Sequence, residues 1–123
     1  MGAIELLLIG IGGALGSVLR SLSSFYFQDL HPWPTLFVNL IGAFLVGLLV
    51  KIMEQQSSPD TFRAFWIVGF CGGFTTFSAF SFELLEFLRS SQWSMGLIYG
   101  IVSFVGSIAS IFLAFRIFSY FYS

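Results

Sequence analysis

Charge is what this sequence has least of. Lys and Arg number 5 and Asp and Glu 6 among 123 residues, 9% in all, where soluble domains carry about a quarter. With 57% hydrophobic residues, a chain of this length cannot hide its apolar surface inside a water-soluble fold, so its solvent is lipid. The net charge of −1 and the lack of any basic cluster exclude a nucleic-acid partner. A single cysteine, Cys71, excludes an internal disulfide. A single histidine, His31, sits in a Pro-rich turn, reads as a loop residue, and leaves no material for a catalytic triad or a metal cluster. No nucleophile–base pair lies within the apolar segments, which excludes an enzyme. The first apolar stretch has no basic region before it and reads as a retained span, not a cleaved signal.

What is present is length. A helix crossing a bilayer needs about 20 apolar residues, and four stretches meet that need: 4–27, 33–53, 62–88 and 94–120. The connections, Gln28-Asp29-Leu30-His31-Pro32, Glu54 to Asp60, and Arg89-Ser90-Ser91-Gln92, are polar or turn-forming. The chain therefore reads as one four-helix transmembrane domain over residues 1–123. Lys51, Arg63 and Arg116 fall on one side of the membrane and Arg89 on the other, with Arg20 joining it if that side chain snorkels. So weak a positive-inside bias permits insertion in both orientations.

Each span carries something other than hydrocarbon. In the first, Gly12, Gly16 and Arg20 are four apart and share a face with Gly13 and Ser17, a spacing that lets helices approach closely. Arg20 must reach water, a partner or an anion. The second span opens Trp33-Pro34-Thr35-Leu36 and holds one amide, Asn39, which fits either an interhelical hydrogen bond or NH2 donors facing an anion. The fourth carries Gly96, Tyr99, Ser103, Ser107, Ser110 and Ala114 at steps of three or four. That stripe is either a packing seam or a wetted track of hydroxyls.

The third span holds the densest signal: Gly69-Phe70-Cys71-Gly72-Gly73-Phe74-Thr75-Thr76-Phe77-Ser78-Ala79-Phe80-Ser81-Phe82-Glu83. Paired glycines followed by paired threonines suit a helix broken near Gly72-Gly73 to line a cavity, and equally a tight packing spot. A break would free carbonyls able to hold a bare cation. Phe77 and Phe80, three apart, can turn positive ring edges toward one corridor. Thr76, Ser78, Asn39 and Ser107 would add hydrogen-bond donors, and no Arg or Lys lies at mid-depth to trap an anion.

This run resembles the signature of the CrcB/Fluc family of fluoride channels. Thr35-Leu-x-x-Asn39-x-x-Gly42, the Gly-rich face ending in Arg20, the Gly106-Ser107 pair and Tyr99 resemble it further. The resemblance implies an all-α membrane protein that forms an antiparallel, dual-topology homodimer in the bacterial inner (plasma) membrane and exports fluoride passively. It implies a fluoride pathway along Phe77, Phe80, Asn39, Thr76, Ser78, Ser107, Tyr99 and Arg20. It also implies a structural sodium ion between subunits, held by the backbone carbonyls of Gly72 and Thr75. Two points depart from it or stay open: Ala79 stands where the family usually has Thr, and Glu83 matches a family carboxylate whose role is unassigned. A small multidrug-resistance transporter, the main rival, needs a proton-exchanging carboxylate midway through the first span, where this chain has Gly12-Gly13-Ala14. A noncatalytic subunit of a larger membrane complex would explain the glycine seams but not the break.

Overall fold

The computed structural model describes residues 1–57 and 59–122, and every regular element among them is helical. Helix α1 (Ala3–Tyr26) leads through a 3-10 turn (Gln28–Leu30) to α2 (Trp33–Gln56). The third span begins with one turn, α3 (Asp60–Phe62), widens into a π-helix (Arg63–Cys71) and tightens again as α4 (Gly72–Phe74). After two extended residues it resumes as α5 (Phe77–Arg89), and α6 (Trp93–Tyr122) completes the chain. Four segments, with Asp60–Arg89 counted as one, are long and apolar enough to cross a membrane.

Local sequence explains the helix ends. The Glu5 carboxylate accepts from the Gly2 N–H at 2.9 Å and closes the start of α1. Pro34 occupies the first turn of α2, where no amide donor is needed. Ser57 takes a left-handed conformation (φ 48°, ψ 46°) and ends α2. Thr76 caps α5 with its hydroxyl.

Packing is by backbone more than by side chain. Helix α1 lies along the π-helix and α4, while α2 lies along α6. At the first seam Gly12 and Gly16 meet the backbone of Phe65 and Phe70, and Gly73 meets Gly13. A methyl group on Gly69 would stand 2.9 Å from the Ile9 carbonyl oxygen. At the second seam one on Gly47 would stand 2.7 Å from the Ala114 Cβ. The buried interior is correspondingly thin, with Tyr99 and Cys71 its largest fully buried side chains. Leu7, Phe104, Phe112 and many other large apolar residues point outward, as a lipid-solvated surface requires.

The interruption of the third span falls slightly beyond the glycine pair expected to carry it. Gly72 keeps helical dihedrals (φ −63°, ψ −36°), Gly72–Phe74 is helical, and the chain departs at Thr75 (φ −87°, ψ 156°) and Thr76 (φ −151°, ψ 119°). Gly73 is at the seam with Gly13 because only hydrogen fits there. The threonines take the extended backbone, which β-branched residues favour.

The seam predicts a sharp contrast between two glycines of α1. Gly16→Ala drives its methyl into the Phe70 carbonyl, and overpacking of this kind costs about 1–3 kcal/mol, whereas Gly10 faces open space. Thermal unfolding in detergent is expected to show a lowered midpoint for Gly16→Ala and an unchanged one for Gly10→Ala. Equal midpoints would mean that α1 is not pressed against the third span.

Candidate functional site

Thr76 leaves the helix inside the apolar span, so its N–H needs a partner from elsewhere, and its C=O, which as the N-cap carbonyl already accepts within α5, can take a second. Asn39 on α2 supplies both. The Thr76 N–H donates to Asn39 Oδ1 at 2.7 Å, and Asn39 Nδ2 donates to the Thr76 carbonyl at 3.0 Å. The pairing also fixes which end of the amide is oxygen, since the backbone donor and acceptor cannot exchange roles. Thr76 Oγ1 accepts from the Ala79 N–H at 3.2 Å, capping α5, and lies 3.2 Å from Ser78 Oγ. From the other side α1 attends to the end of α4: Arg20 Nε donates to the Gly73 carbonyl at 3.0 Å and Ser17 Oγ reaches it at 3.4 Å. A guanidinium suits a helix C-terminus, where carbonyls converge.

Asn39 belongs to a face of α2 that touches the third span at three levels. Four residues earlier, Thr35 Oγ1 donates to Glu83 Oε1 at 2.7 Å. Three residues later, Gly42 makes room for the Thr75 methyl. The second oxygen of Glu83 accepts from the Tyr99 hydroxyl of α6. Glu83 is thus a buried carboxylate held by two hydroxyls from two other helices, a role its sequence position did not reveal. The 35-39-42 spacing was the signal for Thr35 and Gly42.

The residues named from sequence fall into three groups. Asn39, Thr75, Thr76, Phe77 and Ser107 line one cavity of about 280 Å3 beside the break, and among the described residues none lining it is charged. Phe77 is 76% exposed; its ring lies 5.5 Å from that of the half-buried Phe80, and Ser78 is exposed beside them. Tyr99 lies deeper and is fully buried, its hydroxyl turned to Glu83 and its ring 5.4 Å from Phe80, 5.4 Å from Phe87 and 5.9 Å from Trp33. Arg20 stands on the α1 side, outside the cavity lining. Along α6, Ser110 bonds back to the Gly106 carbonyl at 2.8 Å, and Ser103 Oγ is buried without a hydrogen-bond partner among the described residues.

A four-span chain with its third span opened at mid-length, beside an uncharged, largely apolar cavity that holds one amide and three hydroxyls, has the build of a membrane protein that forms a path for an ion or small solute. The chain belongs to the CrcB-like family: residues 7–115 match the model described as "CrcB-like protein, Camphor Resistance (CrcB)". It is 43% identical over 113 residues to the fluoride-specific ion channel FluC of Rhizobium meliloti (strain 1021), covering 88% of this chain and 90% of that one. It is 42% identical over 113 residues to the protein of the same name from Leptospira interrogans serogroup Icterohaemorrhagiae serovar copenhageni, over 88% and 89% of the two chains. With the protein of that name from Thermus thermophilus it shares 39% identity over 121 residues, 95% of each.

Thr35→Val keeps the shape of the side chain and removes one donor from a buried carboxylate. Loss of such a bond costs about 1–3 kcal/mol, so the unfolding midpoint in detergent is expected to fall. An unchanged midpoint would show that Glu83 does not depend on Thr35.

Proposed function

We propose that this chain is a fluoride-selective channel of the plasma membrane, working as an antiparallel, dual-topology homodimer with a structural sodium ion at its centre. The observation that carries the reading is the uncharged cavity at the break, where an amide, hydroxyls and the Phe77 ring stand among the aliphatic side chains of Ala43, Val46 and Ile111. The FluC name of its relatives supports fluoride as the ion.

Fluoride is small, strongly hydrated and a strong acceptor, so replacing its water needs donors at close quarters. Asn39 keeps one Nδ2–H uncommitted among the described residues, and the hydroxyls of Thr76, Ser78 and Ser107 can donate and then reorient as the ion moves on. The positive edges of Phe77 and Phe80 attract an anion weakly. Weak, successive sites let it leave, where a buried cation would hold it. Efflux then needs no coupled energy source. A membrane potential is worth about 2.3 kcal/mol per charge per 100 mV, which for an anion sustains a gradient of roughly fiftyfold.

Phe77 lines the cavity at the break and yet is uncovered in one chain, which is compatible with a second copy beside it. The weak charge bias is compatible with copies inserted in opposite orientations. For the cation, the donor set fits. In an unbroken helix the Gly72 carbonyl would accept from the Thr76 N–H and the Thr75 carbonyl from the Ala79 N–H. Those amides go instead to Asn39 and to the Thr76 hydroxyl, so both carbonyls are relieved of their helical partners, and Gly72 is exposed. Sodium bound by these oxygens would offset the repulsion between carbonyls where two breaks face each other.

Efflux from liposomes containing the purified protein is expected to be large for fluoride and negligible for chloride. Phe80→Ile, which lacks the ring edge, is expected to lose most of that flux while eluting as the same dimer; full flux would make Phe80 a packing residue only. Sodium offers a separate check. Exchanging it for a bulky organic cation, with ion content measured in the same sample, is expected to lower flux or dimer stability. Full activity in demonstrably sodium-free protein would refute the ion's role.

A further inference from the structure

His31, the single histidine of the chain, stands between the 3-10 turn and α2. Its side chain is 67% exposed, and its Nδ1 lies 3.8 Å from Oε1 of Glu83, which is 7% exposed. That separation is too long for a hydrogen bond and short enough for opposite charges to pair. The two groups share an open pocket of about 330 Å3 with Glu86, Ser90 and Gln92. The imidazole therefore meets water on one side and a buried carboxylate on the other.

The neighbouring charges leave Glu83 uncompensated. Glu86, one turn further along α5, is paired with Arg89 at 3.0 Å. From α2 and α6, among the described residues, Glu83 receives only the hydroxyls of Thr35 and Tyr99, which hold a carboxylate without cancelling its charge. Asp29, on the turn preceding His31, is a further acid on that loop. With a neutral imidazole, the end of the pathway just past Phe80 thus presents a net negative charge to an approaching anion. Its field is weakly screened because the carboxylate is buried. Imidazole is the side chain that gains a proton between about pH 5 and 8.

We infer that His31 is a proton-operated charge switch at the mouth of the pathway. When protonated it sets a cation against Glu83, lowers the net negative charge and eases entry of the anion, so conduction rises as pH falls. The inference rests on the channel reading above, and it concerns a residue outside the cavity at the break.

The test compares fluoride efflux from liposomes carrying the wild type, His31→Gln and His31→Arg at about pH 5.5 and about pH 8, the range over which imidazole titrates. Leak of hydrogen fluoride is subtracted with protein-free liposomes. Wild-type flux is expected to be at least about threefold higher at the acid pH, as focusing of charge at an entrance allows. His31→Gln is expected to stay at the slow alkaline rate at both pH values, and His31→Arg, permanently charged, at the fast acid rate. A flat wild-type profile overturns the inference, as does an acid response that survives in His31→Gln. Absence of fluoride flux at every pH in all three proteins would overturn the channel reading itself.

Discussion

A chain that leaves its helix inside lipid must find a partner for every N–H and C=O it releases. Here the partners of Thr76 and of the Gly73 carbonyl come from two other helices. Asn39 of α2 matches both backbone groups of Thr76, and Arg20 with Ser17 of α1 attends to the Gly73 carbonyl. Without them the break would leave several buried polar groups unpaired, each costing on the order of 1–3 kcal/mol.

That dependence explains the glycines. Arg20 reaches Gly73 because α1 lies directly on the π-helix and α4, and α1 can lie there because Gly12, Gly16, Gly69 and Gly73 bring backbone against backbone. The wide turns of the π-helix over Arg63–Cys71 lead into the break, as such segments often do near functional sites. Close packing and the open site are one arrangement: the seam on one side of the third span holds the chain while the other side is released toward α2 and α6.

Charge is distributed to match. The cavity at the break is lined by neutral donors, an aromatic ring and aliphatic side chains. The guanidinium of Arg20 is drawn to a helix end, and the carboxylate of Glu83 is held one turn past Phe80 by neutral hydroxyls. In the anion path proposed above, the chain's own side chains at the break contribute partial charges, and its formal charges stand away from the cavity lining.

The sequence by itself determined the solvent and the architecture. Apolar length and scarce charge demand four spans, and Thr75-Thr76 between two Phe-rich runs marks where a span is unlike a plain membrane helix. The spacing of Thr35, Asn39 and Gly42 carried a family resemblance, and the packing put all three on the face of α2 that meets the third span. The sequence did not say whether Gly72-Gly73 breaks a helix or packs one, since glycine suits both. The seam with α1 decided for packing at Gly73 and moved the break to the threonines. Nor did it reveal that Asn39 binds backbone on both sides, that Tyr99 supports Glu83, or that His31 faces that carboxylate. Those pairings join residues far apart in the chain, and only the crossing of the helices brings their side chains within reach.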